Sequence, residues 1–578
     1  MPTSTPSAPT PTKDPSRRLI VLIPGLISNG DSWKSLRARL EQEEGYEPEQ
    51  ATWFIFDYGS ELAASKWLDN LAPGLRLLKP HRLDALAHRL RARIDGEWAE
   101  NGGFREVVLI GHSVGGLIAR RVYLLAAGAV PNDRPSIWGH RISRIVLFAA
   151  PNRGNRTNWA WWSPPLSWFL NTIPFLPHLV FEDALRGSNF LTNLRIDWIR
   201  HFSSALNSDF SVELQIEWIR KFYPEAEGQP LRPIIVQFLG DDDKLVDHHD
   251  SEDVLGYSEQ EYYQRIADAD HSSLYRLDLA LDPEARYALI RDAFCQDKPT
   301  YLSSPPPSKR SASDDEQVVF LLHGIRATNV DTWIAKLGIG LEKLRFVVVR
   351  PEYGFFSALG FALPRKRRRN IRFFQDTYTE VLAEHPRATF HIIAHSNGTY
   401  MLGSSLNRTP GMRFKNVVLA GSALPESYQW SRLMPTQVSR VTNERASLDW
   451  PIALLARALN ALGNSDIGAS GFAGFHGNAA SEVAYFKGGH GAALDANNHE
   501  RIIKFILGDT VDTPTDLTEA PAWFRTFSNL MPYLVWALLL VVLGAIVWLT
   551  IYKGYFDPFP LVVLVITFIV IYVILDVI

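Results

Sequence analysis

The sequence predicts an α/β protein with two similar domains, each a mostly parallel β-sheet with helices on both faces, followed by two transmembrane helices. Three observations lead to this prediction. The same order of apolar runs and turns occurs twice along the 578 residues. In both copies, short runs of Val, Ile and Leu alternate with helical stretches, as is typical of buried parallel strands. The last part of the chain contains two long apolar segments without charge.

The composition is that of a globular protein and argues against some classes of function. The chain is too long for one ordinary hydrophobic core, and 46% of its residues are hydrophobic and 21% charged. A formal net charge of -3 provides no basic field for nucleic acid, so we expect no nucleic-acid partner. Cys295 is the only cysteine, so neither an intramolecular disulfide nor a cysteine-based metal site is expected.

Each copy begins with a buried-type strand and a tight turn. Leu19–Trp33 reads LIVLIPGLISNGDSW and Val318–Trp333 reads VVFLLHGIRATNVDTW, and both stretches end in Asp, a hydroxyl residue and Trp. Between the copies, Gln296–Gln317 is rich in Pro, Ser and charge and lacks apolar periodicity, which is typical of a linker. We therefore expect domains at 17–296 and 317–510, separated by a linker at 297–316.

A serine lies between an apolar strand and a helix in both copies. Val107–Arg120 reads VVLIGHSVGGLIAR and contains the pattern G-x-S-x-G around Ser113. Thr389–Leu402 reads TFHIIAHSNGTYML, with Ser396 in the same place and Ala394 instead of the first glycine. A sharp strand-to-helix turn strains the serine backbone and presents the hydroxyl at the helix N-terminus. The pattern predicts a nucleophile; the alternative is a packing turn with an idle serine.

The motifs GHSVGG, LIPGL and FAAPNRG of the first copy resemble the alpha/beta-hydrolase superfamily, especially its lipase and GPI-inositol-deacylase-like branches. The resemblance covers about residues 17–296 and implies a triad in which the acid and then the histidine follow the serine. It implies Asp243 as the acid, three residues after Gly240, and His271 in DADHSSLYR as the base. The neighbouring acidic and histidine residues are expected to be loop residues outside the triad: Asp241, Asp242, Asp247, His248 and His249.

The second copy resembles the same superfamily over about residues 317–508. The resemblance implies Asp449, in NERASLDWP, as the acid and His490, in FKGGHGAAL, as the base. His476 and His499 are the alternatives for the base. We expect this copy to be active as well; the alternative is a degenerate copy that serves as a scaffold.

The resemblance also implies the role of each group. The serine attacks an acyl carbonyl, the histidine takes its proton and returns it to the leaving alcohol, and the aspartate holds the imidazole tautomer. Two backbone N–H groups in each copy would stabilise the oxyanion. These are Leu26 and Val114 in the first copy, and Ile325 and Asn397 in the second. No cofactor or metal ion is expected; the alternative, a metal site within Asp241–Asp250, would leave the serine turn without a role.

The C-terminal part of the chain predicts a membrane hairpin at 531–578, after a linker at 511–530. Pro532–Ile551 has no charged side chain and is long enough to cross a bilayer as a helix of about 20 residues. Pro560–Leu575 is also uncharged, but reaches that length only with flanking residues. The alternative is a pair of buried core helices. The arm at 1–16 is expected to be disordered and lacks the apolar core of a signal peptide, so we expect both domains to be cytoplasmic.

Two further segments bear on the substrate. Asn158–Phe181 is dense in Trp, Phe and Pro and predicts a cap, whose rings line an acyl pocket, rest at a membrane interface or form a small satellite core. Pro364–Phe374, PRKRRRNIRFF, is either a solvated helix face or a contact with an anionic leaflet, where each basic residue contributes about 1 kcal/mol.

Taken together, these features predict an integral membrane serine hydrolase that cleaves acyl esters of lipids. Acyl transfer to an alcohol other than water is the second enzymatic interpretation. The third is a non-catalytic membrane tether with hydrolase-like domains, which two sets of Ser, Asp and His in catalytic order disfavour. Nothing in the sequence indicates a protein partner.

Overall fold

The computed structural model describes residues 17–25, 30–58, 83–131, 133–155, 182–203, 232–252, 260–296, 316–324, 332–354 and 358–553. The chain divides into two compact units, Met1–Arg310 and Ser311–Ile578, and the division falls within the segment interpreted as a linker. Each unit contains a six-stranded sheet.

The sheet of the first unit has the strand order β2-β1-β3-β4-β5-β6, and all neighbouring strands are parallel. Its central strands are buried along nearly their whole length because helices cover both faces of such a sheet. The strands are β1 (Arg18–Ile23), β2 (Ala51–Ile55), β3 (Glu106–His112), β4 (Ile142–Phe148), β5 (Ile234–Gly240) and β6 (Glu261–Ile266).

One helix of the first unit, α3, directly follows the central strand β3 and is buried on all sides. Its sequence, VGGLIARRVYLLA, is correspondingly apolar around most of the helix. The helices of this unit are α1 (Lys34–Leu40), α2 (Leu83–Asn101), α3 (Val114–Ala126), α4 (Asn189–Ser203), α5 (His248–Glu252) and α6 (Pro283–Cys295), with short 3-10 turns at Gly30–Trp33, Gly139–Arg141 and Leu277–Leu279.

The sheet of the second unit repeats the first, with the order β8-β7-β9-β10-β11-β12 and parallel neighbours throughout. In each unit the first strand of the unit pairs with the second and third, so the two sheets share one topology. The strands are β7 (Gln317–Leu322), β8 (Val347–Val349), β9 (Thr389–His395), β10 (Phe414–Ala420), β11 (Val438–Ala446) and β12 (Ser481–Phe486).

The helices of the second unit complete the same layered arrangement, so the prediction of two parallel-sheet α/β domains is confirmed. These helices are α7 (Thr332–Lys343), α8 (Ala358–Ala362), α9 (Pro364–Glu384), α10 (Asn397–Arg408), α11 (Trp430–Leu433), α12 (Arg457–Ala461), α13 (Ser470–Ala473) and α14 (His499–Leu507), with a π-helical segment at Pro451–Ala456 and 3-10 turns at Ala492–Leu494 and Ala496–Asn498.

A long helix, α15 (Ala522–Lys553), follows the second sheet. Within the described residues it is the one helix long and apolar enough to cross a membrane, over Ala522–Ala545, and little of that stretch is buried. The second predicted span, Pro560–Leu575, lies outside the described residues, as do the N-terminal arm and the predicted cap at Asn158–Phe181.

Candidate active site

Both serines lie in a strained turn between a strand and a helix. Ser113 joins β3 to α3 with φ 54° and ψ −125°, and Ser396 joins β9 to α10 with φ 55° and ψ −121°. A positive φ is uncommon for a residue with a Cβ and persists where the surrounding structure enforces it. The two turns are therefore nearly identical in backbone conformation and start their helices at the serine.

The glycine two residues after each serine permits this turn. A Cβ on Gly115 would lie 2.2 Å from the carbonyl oxygen of Ile23, and a Cβ on Gly398 would lie 2.6 Å from that of Leu322. The helix start is thus packed against the end of the first strand of its unit. Only a residue without a side chain fits at this contact.

In the first unit, three predicted residues form a continuous hydrogen-bonded series. His271 Nε2 lies 2.9 Å from Ser113 Oγ, and His271 Nδ1 lies 2.9 Å from Asp243 Oδ2. The other oxygen, Asp243 Oδ1, accepts the backbone N–H groups of Leu245 at 2.8 Å and Val246 at 3.0 Å. Because these donors fix the fully buried carboxylate, its second oxygen faces the imidazole. The serine hydroxyl can donate to Nε2 while Nδ1–H donates to the carboxylate.

In the second unit, the predicted acid and the predicted base are hydrogen-bonded to each other, but the base is not bonded to the serine. His490 Nδ1 lies 2.8 Å from Asp449 Oδ1, which also accepts the backbone N–H of Ile452 at 3.1 Å. Among the described residues, His490 Nε2 has no hydrogen-bond partner, so the bond to Ser396 is not formed. Gly421 makes room for the ring, because a Cβ there would lie 2.6 Å from His490 Cε1.

A second histidine precedes each serine and holds the loop of the base. His112 Nε2–H donates to the carbonyl oxygen of His271 at 2.7 Å, and His395 Nε2–H donates to that of His490 at 3.2 Å. Burial lowers the pKa of His112 and of His395 to about 3, so both rings are neutral donors at physiological pH. Sequence reasoning missed this role, although a histidine before the serine in both copies was its signal.

A tyrosine in each unit holds the turn after the first strand. Tyr58 Oη–H donates to the carbonyl oxygen of Pro24 at 2.7 Å, and Tyr353 Oη–H donates to that of His323 at 2.6 Å. Burial raises the pKa of both phenols. Sequence reasoning also missed this pair, whose signal is an acidic residue, Tyr and Gly shortly after the second strand of each unit.

Two of the four predicted oxyanion donors are described. Val114 and Asn397 are the first residues of α3 and α10, and both are buried. The first N–H groups of a helix have no acceptor within it, so they are available to an anion. Leu26 and Ile325 lie outside the described residues.

The alternative site residues have other surroundings. Asp241 is exposed and pairs with Arg265, and His248 Nδ1 lies 3.0 Å from the hydroxyl of Tyr263. His476 is exposed, and the His499 ring bonds to the carbonyl oxygen of residue 494 at the start of α14. In the described part of the chain, no three His, Cys, Asp or Glu side chains form a group suited to a metal ion.

Comparisons with known proteins concern mainly the first unit. Residues 20–288 match the model of a family described as the alpha/beta hydrolase family, which is nearly all of the first unit before the linker. No curated protein sequence matches the chain.

Among solved structures, a monoacylglycerol lipase of Paleococcus ferrophilus is 17% identical, over 48% of this chain and 95% of its own, with a TM-score of 0.25. Phospholipase PlaB of Legionella pneumophila is 13% identical, over 41% of this chain and 43% of its own, with a TM-score of 0.25. A lipase-esterase related protein of Clostridium acetobutylicum is 13% identical, over 49% of this chain and 96% of its own, with a TM-score of 0.27.

These TM-scores are low, and the assignment rests on the family match and on the strand order of the sheets. The first unit, with its serine turn between β3 and α3, matches the alpha/beta hydrolase family over residues 20–288, and the second unit repeats its sheet and its serine turn.

Proposed function

We propose that this hydrolase-fold chain is a membrane-anchored serine hydrolase that cleaves acyl esters of lipids. The hydrogen-bonded series of Ser113, His271 and Asp243 is the observation that carries the proposal. Three such side chains, with the serine on a strained turn at a helix N-terminus, are the arrangement that activates a hydroxyl toward a carbonyl carbon. The family match to residues 20–288 supports hydrolase chemistry in the same unit.

In the proposed mechanism, neutral His271 takes the proton of Ser113 as Oγ attacks the ester carbonyl. The backbone N–H groups of Val114 and Leu26 stabilise the oxyanion of the tetrahedral intermediate. The imidazolium then returns its proton to the leaving alcohol, and water repeats the sequence to release the acid. Asp243, fixed by two backbone donors, holds the imidazole tautomer and stabilises its cation.

We propose the same roles for Ser396, His490 and Asp449 in the second unit, with Asn397 and Ile325 as oxyanion donors. The missing hydrogen bond to Ser396 does not argue against activity. Catalytic hydrogen bonds are often long or unformed without substrate and shorten in the substrate complex. The pairing of Asp449 with His490 already sets the tautomer that leaves Nε2 free to accept a proton.

The membrane part of the proposal rests on α15. Ala522–Ala545 is sufficiently long and apolar to cross a bilayer, and Pro560–Leu575 would be the returning span. An enzyme held at a bilayer meets lipid esters at a high effective concentration. A bilayer lipid is therefore the substrate class that this architecture favours.

The experiment is labelling of the full chain with a fluorophosphonate probe. Wild type should be labelled, and the double variant Ser113→Ala/Ser396→Ala should not be. Each single variant then reports the activity of the other unit. Ser431→Ala is a matched control because Ser431 is exposed on α11; it should be labelled like wild type. Undiminished labelling of the double variant would refute the assignment. In a separate turnover assay with an added alcohol, formation of the new ester would indicate acyl transfer.

A further inference from the structure

The segment around Asp449 exposes large apolar side chains. Leu448 is 39% exposed, Trp450 48% and Leu462 51%. The helical residues between them, Pro451–Ala461, are almost entirely apolar. Single exposed apolar residues are normal, but a series of them beside a candidate active site needs an explanation.

This segment packs against the part of α15 that precedes the predicted membrane span. Ser528 Oγ–H donates to the carbonyl oxygen of Ala453 at 2.8 Å, and Arg457 Nη1–H donates to Asn529 Oδ1 at 2.6 Å. Phe524 is buried in the same apolar cluster as Ile452. Pro532, where the uncharged stretch begins, follows Asn529 by one helical turn, or about 5 Å. The segment therefore lies close to the point where the chain would enter the bilayer.

The first part of α9 carries several cations, and one of them contacts the loop that follows the same segment. Arg367 is buried, and its guanidinium donates to Asn464 Oδ1 at 2.9 Å and to the carbonyl oxygen of Phe361 at 2.6 Å. These bonds fix the start of α9 beside the loop that follows Leu462. Leu363, immediately before α9, is 42% exposed. Among the described side chains of this first part of α9, Lys366, Arg368 and Arg369 are exposed.

We propose that these residues form a membrane-facing surface that rests on an anionic bilayer leaflet and turns the second site toward it. The surface consists of Leu363, Lys366, Arg368, Arg369, Leu448, Trp450 and Leu462. Trp and Leu side chains enter the interface, where Trp is favoured. The three cations attract anionic headgroups with about 1 kcal/mol each.

The proposal rests on the membrane span proposed above, and it assigns a substrate to the second site. Asp449 lies between Leu448 and Trp450, so the acid of this site is carried by the membrane-facing surface itself. A lipid of the leaflet then lies on the side of the unit that carries this acid. The substrate class of the second unit is accordingly an ester of a bilayer lipid.

The test places a nitroxide at single positions of the full chain in lipid nanodiscs. Because Cys295 is the only cysteine, a Cys295→Ala background allows unique labelling of Leu462→Cys and Leu363→Cys. Ile339→Cys on α7 is the matched control, being 51% exposed. In discs with phosphatidylglycerol, we expect the probes at 462 and 363 to collide more often with oxygen than with a water-soluble nickel complex, and the control probe to show the reverse.

A second set of variants tests whether the surface requires an anionic lipid. Lys366→Glu/Arg368→Glu/Arg369→Glu should raise nickel access at 462 to the value found in neutral phosphatidylcholine discs. The control Lys336→Glu/Lys343→Glu/Lys504→Glu changes the same number of exposed charges elsewhere and should have no effect.

Three results would overturn the proposal. Nickel access at 462 and 363 equal to that at 339 would show a solvated surface, and protection of both positions from both reagents would show a protein partner instead. Equal nickel access at these positions in anionic and neutral discs would exclude the preference for an anionic leaflet. Carbonate extraction and fluorophosphonate labelling of the same samples report the anchor and the nucleophiles separately, so a failure of this surface is distinguishable from a failure of the proposed function.

Discussion

At the level of single residues, Asp243 differs from its acidic neighbours in what its oxygens meet. One oxygen accepts two backbone N–H groups and the other faces His271, whereas Asp241 is exposed and pairs with Arg265. A carboxylate fixed in this way holds the imidazole ring of His271 in a single orientation. The nearby carboxylates have no such role in the geometry of the site.

We therefore expect Asp243→Asn to preserve the fold and to lower kcat of the first unit by about three to four orders of magnitude, because the amide stabilises the wrong imidazole tautomer. Asp241→Asn is the control and should keep the wild-type rate. Ester turnover is to be measured in a Ser396→Ala background, so that only the first unit contributes. An Asp243→Asn rate close to that of the control would contradict the assigned acid.

Buried neutral histidines predict a loss of stability in mild acid. Burial lowers the pKa of His201 to about 4, and its Nε2 lies 2.8 Å from the Tyr123 hydroxyl. The unfolded chain binds this proton near pH 6.5 and the folded chain does not. Stability is therefore fully present above about pH 6.5 and is lost as the pH falls toward the folded pKa, by about 2 kcal/mol at pH 5.

His201→Gln should remove this contribution, so the first unit of the variant should lose less stability between pH 7 and pH 5. His88→Gln, which replaces a half-exposed ring, is the control for the loss of one histidine. Denaturant-dependent hydrogen exchange of the first unit at both pH values measures the difference. Equal pH dependence in all three proteins would rule out a buried neutral imidazole at this position.

At the level of elements, the strand-turn-helix unit positions the serine. The start of α3 touches the end of β1 so closely that no side chain fits at Gly115. Gly398 has the same contact at the start of α10. In both units the strain at the serine is maintained by this packing of helix against strand and not by the serine itself.

Gly115→Ala should therefore displace the helix start and abolish fluorophosphonate labelling at Ser113, with a loss of stability above 1 kcal/mol. Gly96→Ala is the control within α2, where a Cβ meets no atom within 4 Å. There the substitution should stabilise by up to about 1 kcal/mol and leave labelling unchanged, because alanine is the better helix former. Wild-type labelling of Gly115→Ala would show that the turn tolerates a Cβ.

At the level of the whole molecule, the apolar end of the chain is separable from the two sites. Phe524, Ser528 and Asn529, which pack on the second unit, precede Met531, so truncation there keeps these contacts. None of the proposed triad residues lies beyond this point.

Deletion of Met531–Ile578 should yield a protein released by carbonate that cleaves short water-soluble esters at the wild-type rate. Its activity on bilayer lipid should fall far more, since anchoring supplies the local concentration. The comparison requires both substrates, with the full chain in vesicles as the control. Retention of the truncated protein in the membrane fraction would identify another principal anchor.

The sequence alone predicted the two parallel sheets because continuous apolar strands between helices bury both faces of a sheet. It also indicated where each serine turn lies, since glycine spacing around a serine is a local signal. Local patterns extend over a few residues, so they carry such information without any long-range contact. They did not show the roles of His112 and Tyr58, whose partners are distant in the chain.

Which acid and which histidine meet a serine depends on loops that converge from separate strands. The residues of DADHSSLYR and QFLGDDDKLVD had to be chosen by family resemblance, and only the tertiary structure brought Asp243 and His271 within 2.9 Å of each other. The same holds for the second unit, where the structure pairs His490 with Asp449 but leaves Nε2 unbonded among the described residues. The sequence determined the strands and the serine turns through local periodicity, whereas the site geometry was decided by packing between elements far apart in the chain.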